Sequence, residues 1–101
     1  MSLVAEPAAS VIAAALSALS APTRVQIVTC LLDGPLAVGD ITARLGMEQS
    51  AVSHQLRVLR EAGLVSAERQ GKRRVYAVAT EAVRELLTAA QHLVDRSEPA
   101  R

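Results

Sequence analysis

Apolar residues recur at helical spacing along most of the chain. Stripes of Val, Ile, Leu and Ala predict a helix over about residues 8–19 and a second helix that begins at Ser20-Ala21-Pro22 and ends at Asp33-Gly34-Pro35. Further stripes predict a third helix over about 38–45 and a fourth over about 49–62. Ser20 is expected to cap the second helix, because a serine side chain accepts from the first free backbone N–H groups.

Between residues 64 and 78 the apolar period changes to two. Residues 64–69 and 73–78 predict two strands joined by the turn Gln70-Gly71-Lys72, and a last helix follows over about 81–95. The predicted fold is mainly α with a small β-hairpin (α+β), ordered as four helices, two strands and a fifth helix. We expect one domain over residues 1–101, with residues 1–7 and 97–101 frayed.

Charge is distributed unevenly along the chain. The formal net charge is +1, but residues 44–74 hold seven basic and three acidic side chains, whereas the remainder holds four basic and seven acidic ones. Such an asymmetry favours one surface made for a polyanion. Half of the residues are apolar and Tyr76 is the only aromatic one, so a small aliphatic core would gain from pairing with a second subunit.

Other features of the chain predict a cytoplasmic protein with no membrane partner. Cys30 is the only cysteine, which excludes an intramolecular disulfide. The first residues lack the basic segment of a secretory signal. The apolar run over residues 8–19 is too short to span a membrane.

Two neighbouring features predict DNA binding. The third and fourth helices, joined by a short turn containing Gly46, form a helix-turn-helix, whose second helix enters a major groove. Its polar face suits base reading, and the cationic hairpin after it suits phosphates that flank a minor groove. The predicted base-contacting residues are Gln49, Ser50, Ser53, His54 and Gln55. The predicted phosphate-contacting residues are Arg57, Arg60, Lys72, Arg73 and Arg74.

Either feature alone is typical of an ordinary solvated surface. Together they favour a sequence-specific regulator. A non-specific architectural DNA-binding protein is the alternative, but it would need a broad positive charge that the remainder of the chain lacks. An enzyme is disfavoured, because the sequence has no Gly-rich phosphate loop, no nucleophile elbow and only two histidines.

Four segments of the chain resemble the ArsR/SmtB family of regulators: Met47–Arg60, Gly63-Leu64-Val65, Arg69–Tyr76 and Leu19–Arg24. Their amino-acid sequence is similar to that of actinobacterial nickel and cobalt sensors. The resemblance implies a homodimeric winged helix-turn-helix repressor that binds an inverted-repeat operator in double-stranded DNA. It also implies that the first and last helices pair across the dimer. The apolar residues available to this interface, some of which must serve each subunit's own core, are Val11, Ile12, Ala15, Leu16, Leu19, Val83, Leu86, Leu87 and Ala90.

The metal ligands of such sensors are missing at the matching positions. Ala37 and Gly39 stand where many members carry cysteines, and Thr80, Ala82, Leu93 and Arg96 stand where others carry carboxylates and histidines. The remaining candidate ligands are His92, Asp95 and Glu98. In a dimer they would supply two histidines with carboxylates, a donor set that suits Ni(II) or Zn(II). The alternatives are that His92 is a plain surface residue, that a separate sensor or co-regulator protein supplies the response, or that no effector exists.

Overall fold

The computed structural model describes residues 3–97, and its helices and strands follow the predicted order with one addition. The elements are α1 (Ala8–Ala18), α2 (Pro22–Leu31), β1 (Leu36–Ala37), α3 (Val38–Leu45), α4 (Gln49–Glu61), β2 (Val65–Gln70), β3 (Arg73–Val78) and α5 (Glu81–Ser97). The predicted fraying of residues 1–2 and 98–101 and the candidate ligand Glu98 lie outside the described residues.

The helix ends follow from local chemistry, although one predicted cap is wrong. The Ser10 N–H donates to a carboxylate oxygen of Glu6 over 2.8 Å, which satisfies one of the free donors at the start of α1. Ser20 does not cap α2, because no side chain of the described residues accepts from the free N–H groups of this helix; its hydroxyl donates back to the Ser17 carbonyl oxygen over 2.7 Å. The residue before α2 is instead the extended Ala21, and Pro22 occupies the first turn, where its missing N–H costs nothing.

The three strands form one antiparallel sheet in the order β1-β3-β2. Leu36 lies opposite Tyr76 and Ala37 opposite Val75, so β1 joins the segment before α3 to the hairpin. In the hairpin, Gln70 lies opposite Arg73, and a two-residue turn closes it. Gly71 takes a φ of 63° at the first turn position, as a type II′ turn requires.

The core joins the helices of the helix-turn-helix to α2. The side chains with under 2 % exposure come from α2, α3 and α4, and burial of each contributes about 1.5–3 kcal/mol. They are Ile27, Val28, Leu31, Ile41, Val52, Leu56 and Leu59. Tyr76 of β3 and Val83 of α5 extend this core, which fixes the hairpin and the last helix against the helix-turn-helix.

Among residues 3–97, no single helix is long and apolar enough to cross a membrane. By length and composition alone, α1 and α2 together would pass as a bent span, and they meet at 90°. Ile27 and Val28 of α2 are fully buried in the protein core.

Candidate nucleic-acid interface

Helix α4 has an apolar face in the core and a polar face in solvent. Val52, Leu56 and Leu59 are fully buried, and their spacing of four and three residues defines the inner stripe. The outward stripe repeats at the same spacing. It carries the exposed residues of this helix that were predicted to contact bases or phosphates. Those residues are Gln49, Ser50, Ser53, His54, Arg57 and Arg60.

The turn before α4 is fixed by Gly46. This residue adopts a φ of 64°, and its N–H donates to the Thr42 carbonyl oxygen over 2.8 Å, which ends α3. A left-handed backbone suits glycine because it has no Cβ to clash with the next carbonyl. Met47 then packs against the core, and the chain enters α4 through the extended Glu48. The turn therefore sets the direction in which α4 presents its polar face.

A groove of about 510 Å³ separates the polar face of α4 from β3. Its walls are Ser50, Ser53, His54, Arg57 and Arg60 from the helix and Arg74 and Tyr76 from the strand. None of these wall residues is acidic, and three of them carry a full positive charge. Helix and hairpin thus form one continuous surface, which we call the recognition groove.

The two faces of the hairpin carry different cations. The register places Arg69 directly opposite Arg74 and Ala67 opposite Tyr76. Because side chains alternate along a strand, these four residues share the face that continues the core. The Arg74 guanidinium lies 6.0 Å from the centre of the Tyr76 ring, which orients it beside the recognition groove.

The Arg69–Arg74 pair creates an electrostatic cost that an anion would relieve. Like charges directly opposite each other on neighbouring strands are destabilising. Arg69 Nε donates to the Gly71 carbonyl oxygen over 3.3 Å. Because this acceptor is a neutral carbonyl, the bond does not neutralise the charge of Arg69. Together with Lys72 and Arg73 the pair lines a cationic depression of about 460 Å³ at the hairpin tip. A phosphate there would lower the repulsion.

Arg69 is absent from the predicted contact set, and the predicted turn Gln70-Gly71-Lys72 is one residue longer than the observed one. A two-residue turn at Gly71-Lys72 places residue 69 opposite residue 74, so Arg74 and Arg69 necessarily share a face. Tyr76 was missed as a groove residue for a different reason. It is only 7 % exposed and belongs to the core, and only the tertiary structure brings it to the groove wall opposite α4.

Arg73 lies on the other face of the hairpin from Arg74. Its Nη2 atom is 3.1 Å from Oδ2 of Asp40, in the first turn of α3. The side chains of both residues are more than half exposed, at 65 % and 52 %. Arg73 and Arg74, which the sequence analysis placed in one phosphate-binding set, therefore lie on opposite strand faces and have different partners, although both border the depression at the hairpin tip.

Gln55 differs from the other candidates of α4. It is half-buried on the flank of the helix, and its Oε1 atom is buried with no hydrogen-bond partner. The structure therefore does not bring the Gln55 carbonyl oxygen to the recognition groove.

The apolar residues predicted for a dimer interface divide into two groups. Leu19 and Val83 are buried in the protomer's own core and have little surface left for a second subunit, whereas Ala15 and Leu87 are half-buried and pack against that core. Val11, Ile12, Leu16, Leu86 and Ala90 are exposed on α1 and α5. The exposed fractions of Val11, Ile12 and Leu16 are 66 %, 47 % and 49 %, and α5 also exposes Leu93 and Val94.

The candidate metal ligands do not assemble into a centre within residues 3–97. No group of three or more His, Cys, Asp and Glu residues comes together there. His92 and Asp95 are both exposed on α5, and an oxygen of Asp95 accepts a bond from Gln91 Nε2 over 3.0 Å. Cys30 is a half-buried free thiol of α2. The donors present in this range do not fit a complete metal site.

Comparison with known proteins gives consistent matches. Residues 21–67 match the model of "Bacterial regulatory protein, arsR family". The chain is 51% identical to the HTH-type transcriptional regulator NmtR of Mycobacterium tuberculosis over 82% of the chain and 69% of that protein. It is 36% identical to the biofilm growth-associated repressor of Agrobacterium fabrum, over 83% of the chain and 72% of that protein.

A solved structure extends the likeness to the fold. The homodimeric winged helix-turn-helix DNA-binding domain of a possible ArsR-family transcriptional regulator from Mycobacterium bovis superposes with a TM-score of 0.86 at 31% identity. The match covers 98% of this chain and 94% of that chain. The β2–β3 hairpin is therefore the wing of a winged helix-turn-helix. Since these relatives are transcriptional regulators, the chain is not an enzyme, and it belongs to the ArsR family of bacterial transcriptional regulators.

Proposed function

We propose that this ArsR-family regulator is a cytoplasmic homodimeric repressor that binds an inverted-repeat operator sequence-specifically. The recognition groove carries the proposal, because it unites a base-reading helix face with a cationic wing. Ser50, Ser53 and His54 offer short donors and acceptors for base edges in the major groove. Gln49 adds an amide at the start of α4, where residues of a recognition helix reach bases.

Contacts with the DNA backbone are assigned to the cations around this helix. Arg57 and Arg60 flank the base-reading stripe, and Arg74 faces them across the groove. Arg69 and Lys72 continue the positive charge to the wing tip. Contacts of this kind fix the register of the protein on the duplex without reading sequence.

The proposed dimer interface consists of the exposed apolar residues of α1 and α5. Large apolar side chains in solvent favour burial against a partner. A second copy is the proposed occupant, since the structural neighbour from Mycobacterium bovis is homodimeric. A twofold axis would then present two α4 helices to successive major grooves, about one helical turn apart.

The test is a comparison of operator and scrambled DNA. Sequences enriched by selection from a random duplex library are expected to contain an inverted repeat with half-sites about 10 base pairs apart. Fluorescence anisotropy at physiological salt should then give a Kd at least about 1,000-fold lower for this repeat than for a scrambled duplex. Equal affinity for both duplexes would contradict the proposal and favour a non-specific architectural protein.

The effector of this repressor is a separate question. A nickel or zinc response would need an atypical site in which two His92 residues of a dimer combine with carboxylates, and Asp95 is the described candidate. Calorimetric titration with nickel, zinc and cobalt decides this point. Binding that His92→Ala abolishes would support the atypical site, whereas absence of binding would assign the response to a separate sensor or co-regulator protein or to none.

A further inference from the structure

We propose that Asp40 and Arg73 are positioning residues that tie the wing to the first helix of the helix-turn-helix, and that Arg73 is not a phosphate contact. The inference rests on the proposed function only for its DNA-binding readout. Its starting point is the ion pair between Arg73 Nη2 and Asp40 Oδ2, which joins residues 33 positions apart across 3.1 Å.

The pair lies where the backbone connection between α3 and the wing ends. Strand β1 contacts β3 at only two positions, Leu36 with Tyr76 and Ala37 with Val75. Among residues 3–97, no strand pairs with this edge of β3 beyond Val75 toward the tip, and a two-stranded hairpin alone is marginally stable. Arg73 is the next residue toward the tip on the same face as Val75. Its bond to Asp40 therefore extends the attachment of the wing by one step.

The alternation of side chains gives the two neighbouring arginines different tasks. Arg74 lies on the face of Tyr76 and lines the recognition groove. Arg73 is on the opposite face and reaches back to α3. Because α3 also fixes α4 through the Gly46 turn, the Asp40–Arg73 ion pair fixes the position of the wing cations relative to the recognition helix. Arg73 also borders the depression at the wing tip, but the Asp40 carboxylate beside it offsets its charge and lowers its attraction for a phosphate.

The tie is expected to be modest in strength, as both side chains are largely exposed. Exposed ion pairs change equilibria by about five-fold at most. We expect Asp40→Asn and Arg73→Ala each to weaken operator binding about two- to five-fold. The double variant should be no weaker than either single variant, because one interaction is lost in all three. The charge-swapped variant Asp40→Arg/Arg73→Asp should restore part of the affinity.

Salt dependence separates positioning from phosphate binding. We expect Arg74→Ala to lower the slope of log Kd against log salt concentration by about one per protomer, whereas Arg73→Ala should leave the slope unchanged. Asp33→Asn and Arg96→Ala are the matched controls, since both residues are exposed and lie outside the helix-turn-helix and the wing. A slope lowered by Arg73→Ala, or tighter binding by Asp40→Asn, would overturn the proposal.

A measurement without DNA keeps this inference independent of the proposed function. In NMR spectra of the free protein, Asp40→Asn and Arg73→Ala are expected to shift the amide signals of Gly71 and Lys72 in the same direction. Asp33→Asn should leave these signals in place. Unshifted wing signals in both variants would overturn the tie, even if operator binding is intact. Failure to discriminate operator from scrambled DNA would overturn the proposed function and not the tie.

Discussion

The two histidines of the chain occupy contrasting surfaces. His54 lines the recognition groove beside Arg57 and Ser50, whereas His92 is exposed on α5, far along the chain from the helix-turn-helix. Replacing each histidine by alanine therefore compares the same side chain on two different surfaces. A base-edge contact contributes discrimination between sequences, while a solvated imidazole contributes none.

We therefore predict that His54→Ala costs on the order of 1–3 kcal/mol at the operator and little on non-specific DNA. His92→Ala should leave both affinities unchanged in metal-free buffer. Anisotropy titrations with the operator and with a scrambled duplex measure the two effects. Equal losses on both duplexes would show that His54 contacts phosphate and does not read a base.

Gln55 provides a second prediction at this scale. Its buried Oε1 lacks a hydrogen-bond partner, and such an acceptor costs about 1–3 kcal/mol. Gln55→Met, which keeps the length of the side chain, should raise the free energy of unfolding by about 1 kcal/mol. Operator affinity should stay within about two-fold, because the oxygen does not reach the groove. A large loss of operator affinity in this variant would mean that Gln55 turns outward to read a base.

At the scale of elements, α3 and the turn that ends it contain two glycines with opposite requirements. Gly46 ends the helix with a φ of 64°, which strains any residue that has a Cβ. Gly39 is exposed within the helix, and a Cβ there would meet nothing within 4 Å. The same substitution should therefore have opposite signs at the two positions.

Gly46→Ala is expected to lower the free energy of unfolding by about 1 kcal/mol. It should also weaken operator binding, because a changed turn would change the orientation of α4. Gly39→Ala should raise the free energy of unfolding by about 0.5–1 kcal/mol, because alanine favours the helix. Urea denaturation of both variants measures these changes. A stabilised Gly46→Ala variant would contradict the role assigned to the turn.

The helices and the wing were predictable because their apolar periods are long and regular. The predicted strand 73–78 has the observed bounds, and α3 begins and ends where the pattern indicated. Strand β1 was missed, since two residues after Pro35 carry no periodicity and its existence depends on pairing with a strand far along the chain. The Ser20 cap was wrong because α2 begins one residue later than expected, so that Ala21 is the capping residue and the Ser20 hydroxyl donates to Ser17.

The candidate site was predictable only as far as helix periodicity defines a face. Ser50, Ser53, His54 and Arg57 follow from the stripe opposite Val52 and Leu56. The separation of Arg73 from Arg74 does not follow from composition, which shows only a cationic run. It depends on which strand face each residue occupies and on Asp40, whose proximity to Arg73 is a tertiary contact.

At the scale of the whole molecule, exposed apolar side chains on α1 and α5 predict dependence on a second subunit. Leu16 is 49 % exposed, so a charge there should cost the protomer little while disrupting a dimer. We predict that Leu16→Glu shifts the protein toward monomer in sedimentation equilibrium and weakens operator binding at least about ten-fold.

Ala43→Glu is the control, because it adds the same charge to an exposed helical position of α3 outside α1 and α5. It should remain dimeric. The thermal midpoint of the wild-type protein should also rise with protein concentration, and that of Leu16→Glu should not. An unchanged sedimentation profile for Leu16→Glu would remove α1 from the proposed interface.

Tyr76 gives the molecule a built-in optical and magnetic reporter. The chain has one tyrosine, no tryptophan and no phenylalanine, so every phenol signal in a spectrum arises from this one ring. That ring packs in the hydrophobic core, and the Arg74 guanidinium lies over its other side at the wall of the recognition groove. Because DNA bases bring aromatic protons of their own, selective isotope labelling of tyrosine would let the ring of this single side chain report occupancy of the groove.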